Sequence, residues 1–247
     1  MIRRSVHTAL CPVFVRARNN NPERRIIMQT LDKQRIEKTL EAIKKNNMQA
    51  FYCETKQEAL EKVRELMNKG DTVTHGGSVT LAECGITELL KNGDYNYLDR
   101  SAPGLTRDEV QEIYRKAFFA DVYLTSSNAV TENGMLFNVD GNSNRVAAIM
   151  YGPKSVIVVA GYNKIVADLN EAFDRLRTVA APKNTKRLNC ATYCAKTGKC
   201  VSMNKEGSMM GEGCFSEQRI CCSYTVASFQ RVKDRIKVII VGEELGY

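Results

Sequence analysis

No stretch of this sequence is long and apolar enough to cross a membrane. The unbroken apolar runs Val156–Ala160 and Val238–Val241, like every other in the chain, fall far short of the ~18–20 residues of a spanning helix. They have the length of buried strands. Residues 1–18 lack a continuous apolar core and a small-residue cleavage site, so no secretory signal is expected and the cytoplasm is the expected compartment. There is no internal repeat, no low-complexity tract beyond a few asparagines, and no serine–histidine–acid set. The one glycine-rich turn, Gly76-Gly77-Ser78, lacks the third glycine of a dinucleotide fingerprint, so a nicotinamide cofactor is not expected.

What is present describes a packed globular chain. Of 247 residues, 43% are hydrophobic and 26% charged, close to the globular average and unlike disordered, collagenous or coiled-coil sequences. The net charge of +8 is unevenly placed. Arg3, Arg4, Arg16, Arg18, Arg24 and Arg25 stand against Glu23 alone in residues 1–27, leaving only +3 for the rest. Acids and bases alternate there, without the concentrated stripe that nucleic acid requires. Residues 1–27 read as a basic leader or mobile arm, and residues 28–247 as the folded domain.

From Leu31 the pattern is regular. Leu31, Ile36, Leu40 and Ile43 predict a helix ending at Asn46-Asn47. Phe51–Cys53 reads as a strand, and a capping box from Thr55 to Glu58 opens a helix that stops at Gly70. Thr72–Thr74 is a strand, and a second box, Thr106 to Glu109, starts another helix. Further strands are expected at Val122–Leu124, Ser155–Ala160 and Lys237–Val241. Asn133-Gly134 predicts a hairpin between Ala129-Val130 and Met135–Val139. Asp168 should cap a helix containing Leu169, Ala172, Phe173 and Leu176. Strands alternating with helices of this length imply an α/β fold with a mainly parallel sheet.

Ligands of such sheets bind beyond the carboxyl ends of the strands, and three loops there are unusual. Gly76-Gly77-Ser78, with helix-opening amides behind it, suits a phosphate or carboxylate, although the same residues serve as a plain turn and cap. Glu83 pairs with Thr80 as a capping box, and His75 beside the loop is a candidate acid or base. Glu132, before the Asn-Gly turn, is a candidate acid, base or nucleophile; a solvated hairpin carboxylate is the alternative. Asn138-Val139-Asp140-Gly141-Asn142-Ser143-Asn144-Arg145 is polar where it joins a strand to an apolar helix. Asp140 is either a catalytic carboxylate or the cap of that helix. Asp140 and Asn144 are expected to orient a ligand, Asn138 to contact it, and Arg145 with Lys164 to supply positive charge for an anion.

Cysteines form a further constellation. Cys190, Cys194, Cys200, Cys214, Cys221 and Cys222 fall within 33 residues. Without an export signal this clustering points to metal or redox chemistry. Four thiolates in one loop can hold zinc or an iron–sulfur cluster, although the spacing matches neither a zinc ribbon nor a ferredoxin run. Reduced structural thiols remain the alternative.

Across residues 30–247 the ordered motifs Gly76-Gly77-Ser78-x-Thr80-Leu81-x-Glu83, Ser127–Glu132 with Gly134, Asn138–Gly141 with Asn144–Ala148, Asn163–Val166 and Val241-Gly242-Glu243 resemble the LUD-domain family of lactate-utilisation proteins. The resemblance implies a three-layer α/β/α Rossmann-like fold of the sugar-phosphate isomerase and CoA-transferase type. It also implies a role in oxidising L-lactate to pyruvate beside iron–sulfur oxidoreductase subunits. Glu132-Asn133-Gly134 is similar to the motif holding the nucleophilic glutamate of certain CoA transferases. Short family members carry C-x5-C-x2-C-x6-C; Cys194, Cys200, Cys214 and Cys221 match its outer parts, Met203 replaces the third position, and an insertion separates Cys200 from Cys214. The expected ligand is a small anionic metabolite held near Gly76-Gly77-Ser78, with Arg145 and Lys164 alongside. A metal-binding electron-transfer subunit and a Glu132-dependent transferase or isomerase are the alternatives.

Overall fold

In the computed structural model the described residues are 22–205 and 212–247. The first 21 residues of the basic arm, and Cys11 with them, lie outside this set. Helix α1 (Pro22–Lys45) begins inside the segment assigned to the arm, with Pro22 at its opening position, where a missing N–H removes no helical bond. The chain continues through β1 (Gln49–Cys53), α2 (Lys56–Glu65), β2 (Thr72–His75), α3 (Val79–Glu83), α4 (Ile86–Asn92), β3 (Asn96–Tyr97), α5 (Arg107–Lys116), β4 (Val122–Thr125), β5 (Ala129–Thr131) and β6 (Leu136–Asp140). Then come α6 (Asn144–Met150), β7 (Ser155–Gly161), β8 (Ile165–Val166), α7 (Leu169–Arg175), α8 (Ala181–Arg187), α9 (Tyr193–Thr197), β9 (Ser223–Ala227) and β10 (Ile236–Val241).

Six strands form one sheet in the order β1-β10-β7-β4-β2-β3, every pair parallel. The expected α/β architecture is therefore present, with helices on both faces. The register of β10 on β7 sets Ile236 beside Val156 and Val238 beside Val158. Val156, Val158, Ile236, Val238 and Ile240 consequently share a face, packed with Ile36, Ile43 and Ile149 of α1 and α6. Ile157, Val159, Ile239 and Val241 point the other way, onto Ala59, Val63, Leu81, Ile86 and Leu90 of α2, α3 and α4. A strand covered on both sides reads as a continuous apolar run rather than an alternating one. This explains why β7 and β10 were the plainest strands in the sequence.

A smaller sheet, β8-β5-β6-β9, stands beside the first. The hairpin β5–β6 is antiparallel, β8 lies parallel to β5, and β9 closes the far edge against β6. Its core, Phe137, Val166, Phe173 and Leu176, packs on α7, which is capped by Asp168 accepting from the Glu171 amide at 2.9 Å. The helix does not stop at Leu176. A π-helical turn, Leu176–Ala180, joins α7 to α8. Thr106 and Glu109 form the full capping box. Thr55 also caps α2, but Glu58 accepts from the Glu54 amide instead of the Thr55 amide. Glu83 does not close a box with Thr80 either: Ser78 caps α3, while Glu83 accepts from the Gly246 amide at 2.6 Å. No helix among the described residues is long and apolar enough to cross a membrane.

Candidate functional site

Strands β7, β4 and β2 are neighbours and run the same way, so their carboxyl ends deliver three loops to one rim. β2 ends in Gly76-Gly77-Ser78, β4 in Ser126-Ser127-Asn128, and β7 in a helical turn, Tyr162–Lys164. Between them opens a cavity of about 650 Å³. Its walls include Gly77, Ser78, Thr80, Ser126, Asn128, Asp140, Asn144, Arg145 and Lys164, with Arg100, Tyr114, Arg187, Arg219 and Tyr247 from elsewhere in the chain. Among the described residues five of the lining side chains are cationic (Arg100, Arg145, Lys164, Arg187 and Arg219), against two acids, Asp140 and Glu217.

Lys164 is the most unusual of them. It is 3% exposed, and its Nζ donates to Thr80 Oγ1 at 2.8 Å and Ser126 Oγ at 2.9 Å. Among the described residues it forms no ion pair with a carboxylate. Burial, reinforced by the positive charges of Arg175 and Arg145, depresses its pKa to about 7. Arg175 donates to the carbonyls of Asn163 and Asn128, and burial lowers its own pKa to about 10. Buried cations gathered without a matching acid are unfavourable, and an anion in the cavity would relieve them.

Arg145 approaches the Gly76 backbone as expected: a Cβ added at Gly76 would stand 2.8 Å from Arg145 Cδ. Its guanidinium, however, is turned into the protein. Nη1 donates to Ser126 O and Asn138 Oδ1, and Nη2 to Asn128 Oδ1 and Val139 O, all within 2.7–3.0 Å. It braces the Ser126–Asn128 loop against β6 and contributes charge rather than a free donor. Asn138 is correspondingly buried behind the wall, occupied by Arg145. Asp140 is a cap. Its Oδ2 accepts from the Arg145 and Val146 amides, its Oδ1 from the Asn142 amide. Ser143, next to α6, has φ +65° and makes no cap bond, so the aspartate three residues earlier takes that place. Of the two roles expected for Asp140 these bonds make the cap, and its side chain also borders the cavity. Asn144 lines the cavity at the start of α6.

Glu132 does not reach this cavity. β5 leaves the rim at Asn128 and runs away from it, and four residues at roughly 3.3 Å each carry Glu132 about 13 Å along the strand. There it pairs with Arg35 at 2.7 Å and Lys38 at 2.8 Å on α1, which hold its carboxyl below the ordinary range. Gly134 at the turn has φ +81°, and a Cβ there would strike the α1 backbone at 2.6 Å. This hairpin is built to dock on α1. His75 is buried, its Nδ1 2.6 Å from the Gly76 carbonyl and its ring stacked on Tyr97, and Nε2 has no partner among the described residues. Burial lowers its pKa.

A model of the LUD domain matches residues 36–241. The chain belongs to the LUD-domain family. Among solved structures, a DUF162 family protein from Deinococcus radiodurans is similar over 86% of this chain and 98% of its own, at 13% identity and a TM-score of 0.46. The eIF2B delta and beta proteins from Chaetomium thermophilum cover 62% and 60% of this chain, and 59% and 50% of their own lengths. Their identities are 18% and 15%, with TM-scores of 0.31 and 0.33. No curated protein matches.

In this LUD domain the cysteines separate into two groups. Cys194, Cys200, Cys214 and Cys221 border one small pocket of about 20 Å³, with Leu176, Val201 and Tyr224, roughly room for one water. Cys190 instead faces the large cavity, and Cys222 is exposed, so neither replaces a member of the quartet. Hydroxyl groups surround the sulfurs. Thr185 and Thr192 lie 3.5 Å from Cys194 Sγ, Ser202 donates to Cys200 Sγ at 3.2 Å, and Tyr224 is bonded to Cys221. All described cysteines are free thiols. No three His, Cys, Asp or Glu side chains among the described residues stand close enough together to hold a metal. The donor chemistry suits a thiophilic group; the spacing would have to tighten around it. Arg219 joins the two regions, lining the large cavity while donating to the Cys221 and Cys214 carbonyls.

Sequence reasoning missed Arg100, Ser126, Arg175, Arg187 and Arg219. None sits in a motif; only the tertiary fold brings Arg100, Ser126, Arg187 and Arg219 to one cavity wall and Arg175 to the Asn163 and Asn128 carbonyls beside it. Ser126 stood one residue before the quoted Ser127–Glu132 motif, the nearest thing to a signal.

Proposed function

We propose that this LUD-domain chain serves the metabolism of lactate and related 2-hydroxy acids, binding the small acid by its carboxylate in the rim cavity. The observation that carries this reading is Lys164, a buried ammonium bonded to two hydroxyls and, among the described residues, to no carboxylate. Thr80 and Ser126 fix the ammonium, Arg175 and Arg145 add positive potential, and Ser78, Arg100 and Arg187 border the space an acid would fill. In a low-dielectric pocket a charge-assisted bond to a carboxylate contributes ~1.5–3 kcal/mol. Lys164→Met should therefore weaken lactate or pyruvate binding about 10–100-fold by titration calorimetry. Equal affinities in wild type and variant would overturn the reading. Glu132 has no part in it, because its carboxylate is committed to Arg35 and Lys38.

A second reading rests on the four-thiol pocket: with the loop tightened, Cys194, Cys200, Cys214 and Cys221 would hold zinc or an iron–sulfur cluster, the latter serving electron transfer with iron–sulfur oxidoreductase subunits. When bound, zinc would fix the loop, and a cluster would carry one electron at a time. The chain's own contribution is the set of hydroxyl groups around the sulfurs. Anaerobic protein reconstituted with iron and sulfide should show visible absorption near ~400 nm, lost in Cys194→Ser with Cys221→Ser. Colourless protein with stoichiometric zinc would favour the structural form. Protein that takes up neither metal would end this second reading.

A further inference from the structure

We propose that Lys164 is a nucleophile, condensing with the carbonyl of a small 2-oxo acid to form an imine inside the rim cavity. This rests on the anion-binding reading and deepens it, because it commits the cavity to the oxidised partner of a 2-hydroxy acid. A lysine becomes nucleophilic when it is desolvated and placed near other cations, since both disfavour the ammonium. Lys164 meets both conditions. Its side chain is 3% exposed yet borders the cavity, and its charged surroundings are Arg145 of α6, Arg175 of α7, Glu83 of α3 and the adjoining Cys84. The two cations dominate the one acid, and the amine is depressed to about pH 7.

The neighbours suit the chemistry. In the first step the Nζ lone pair attacks the carbonyl carbon, a C–N bond forms, and the C=O π pair moves to oxygen. Nitrogen loses a proton and that oxygen gains one, with the Ser126 or Thr80 hydroxyl, 2.9 and 2.8 Å from Nζ, as the relay. The carbinolamine then takes a further proton, its C–O bond breaks, and water leaves the iminium. No electron donor or acceptor is needed. The carboxylate of a 2-oxo acid adjoins its carbonyl and so needs a second cation beyond the lysine. Arg100 lines the same cavity: it folds over Gly77, where a Cβ would stand 2.6 Å from its Nη2, its Nη1 donates to Tyr114, and its Nε is buried without a partner among the described residues. The iminium is an electron sink, so the proton on the adjoining carbon becomes exchangeable.

The test is to treat the full chain with pyruvate and sodium borohydride and map the product by peptide mass spectrometry. The expected adduct is on Lys164, carrying the mass of the acid less one oxygen atom, and labelling should rise between pH 6 and pH 8, through about 7. Proton NMR in deuterated buffer should show exchange of the pyruvate methyl group. Lys164→Arg, which keeps the charge but cannot form an imine, should still bind pyruvate calorimetrically and lose both signals. Should that variant fail to fold, the wild-type map decides alone. Saturable pyruvate binding with Lys164 unlabelled at pH 8 would overturn the imine and leave the anion-binding reading standing. Failure of lactate and pyruvate alike to bind would remove both.

Discussion

The buried ammonium of Lys164 makes the domain's stability depend on pH in a direction that can be worked out. The ordinary lysine value is 10.5, and in the folded state it falls to about 7. Between these values the unfolded chain binds a proton that the folded chain does not, so stability rises with pH across that window. Below about 7 both states are protonated and the whole penalty is present; above about 10.5 it has vanished. At 1.36 kcal/mol per pH unit the difference is about 5 kcal/mol at pH 6. Lys164→Met removes it, at the loss of two hydrogen bonds to Thr80 and Ser126 worth about 1 kcal/mol each. The variant should therefore be about 3 kcal/mol more stable than wild type at pH 6, a rise in Tm of roughly 6–12 °C for a domain of this size. It should be the less stable protein above about pH 9, where the lost bonds outweigh the relieved penalty. Urea unfolding from pH 6 to 10 measures both limbs. A stability difference that stays flat across that range would refute the reasoning, because it would mean that the amine is not desolvated. An anion that binds wild type at pH 6 should narrow the gap in proportion to the logarithm of its concentration.

Other substitutions separate the roles assigned above. Arg145→Ala removes four hydrogen bonds to Ser126, Asn138, Asn128 and Val139 and should destabilise the fold by ~3–5 kcal/mol in urea; a loss below 1 kcal/mol would show that the bracket is not structural. Glu132→Gln breaks two partly exposed ion pairs and should alter stability by less than ~1 kcal/mol with no change in calorimetric anion affinity. A large loss of affinity there would place Glu132 at the site after all. Gly134→Ala forces a side chain with φ +81° into the α1 backbone and should lower the urea midpoint well beyond the ~1 kcal/mol of a tolerated glycine change.

The order of helices and strands could be read along the chain because each signal is local. Val156–Ala160 is apolar throughout because both faces of β7 are covered, and Asn133-Gly134 turns because Gly134 must adopt positive φ. The gathering of Gly76-Gly77, Arg145 and Lys164 was also legible, since parallel strands deliver their carboxyl-end loops to a common rim. Charge signs and spacing did not reveal direction. Arg145 and Asp140 both lie in the right loop, yet the guanidinium points into the protein and the carboxylate onto backbone amides. Which partner a side chain chooses depends on acceptors from β6 and the Ser126–Asn128 loop, distant in sequence. Glu132 shows the same limit, because a carboxylate before a tight turn looks the same whether it lines a cavity or pairs with a neighbouring helix, as this one does with Arg35 and Lys38.

The amino-acid order alone therefore determined the alternating elements, the two-faced burial of β7 and β10, and the family. Only the three-dimensional arrangement decided that β10 lies between β1 and β7, that four cysteines share one pocket, and that Lys164 loses its water among other cations. Helix and strand periods are properties of neighbouring residues, whereas desolvation and electrostatic field sum over everything that surrounds a group, whatever its position along the chain.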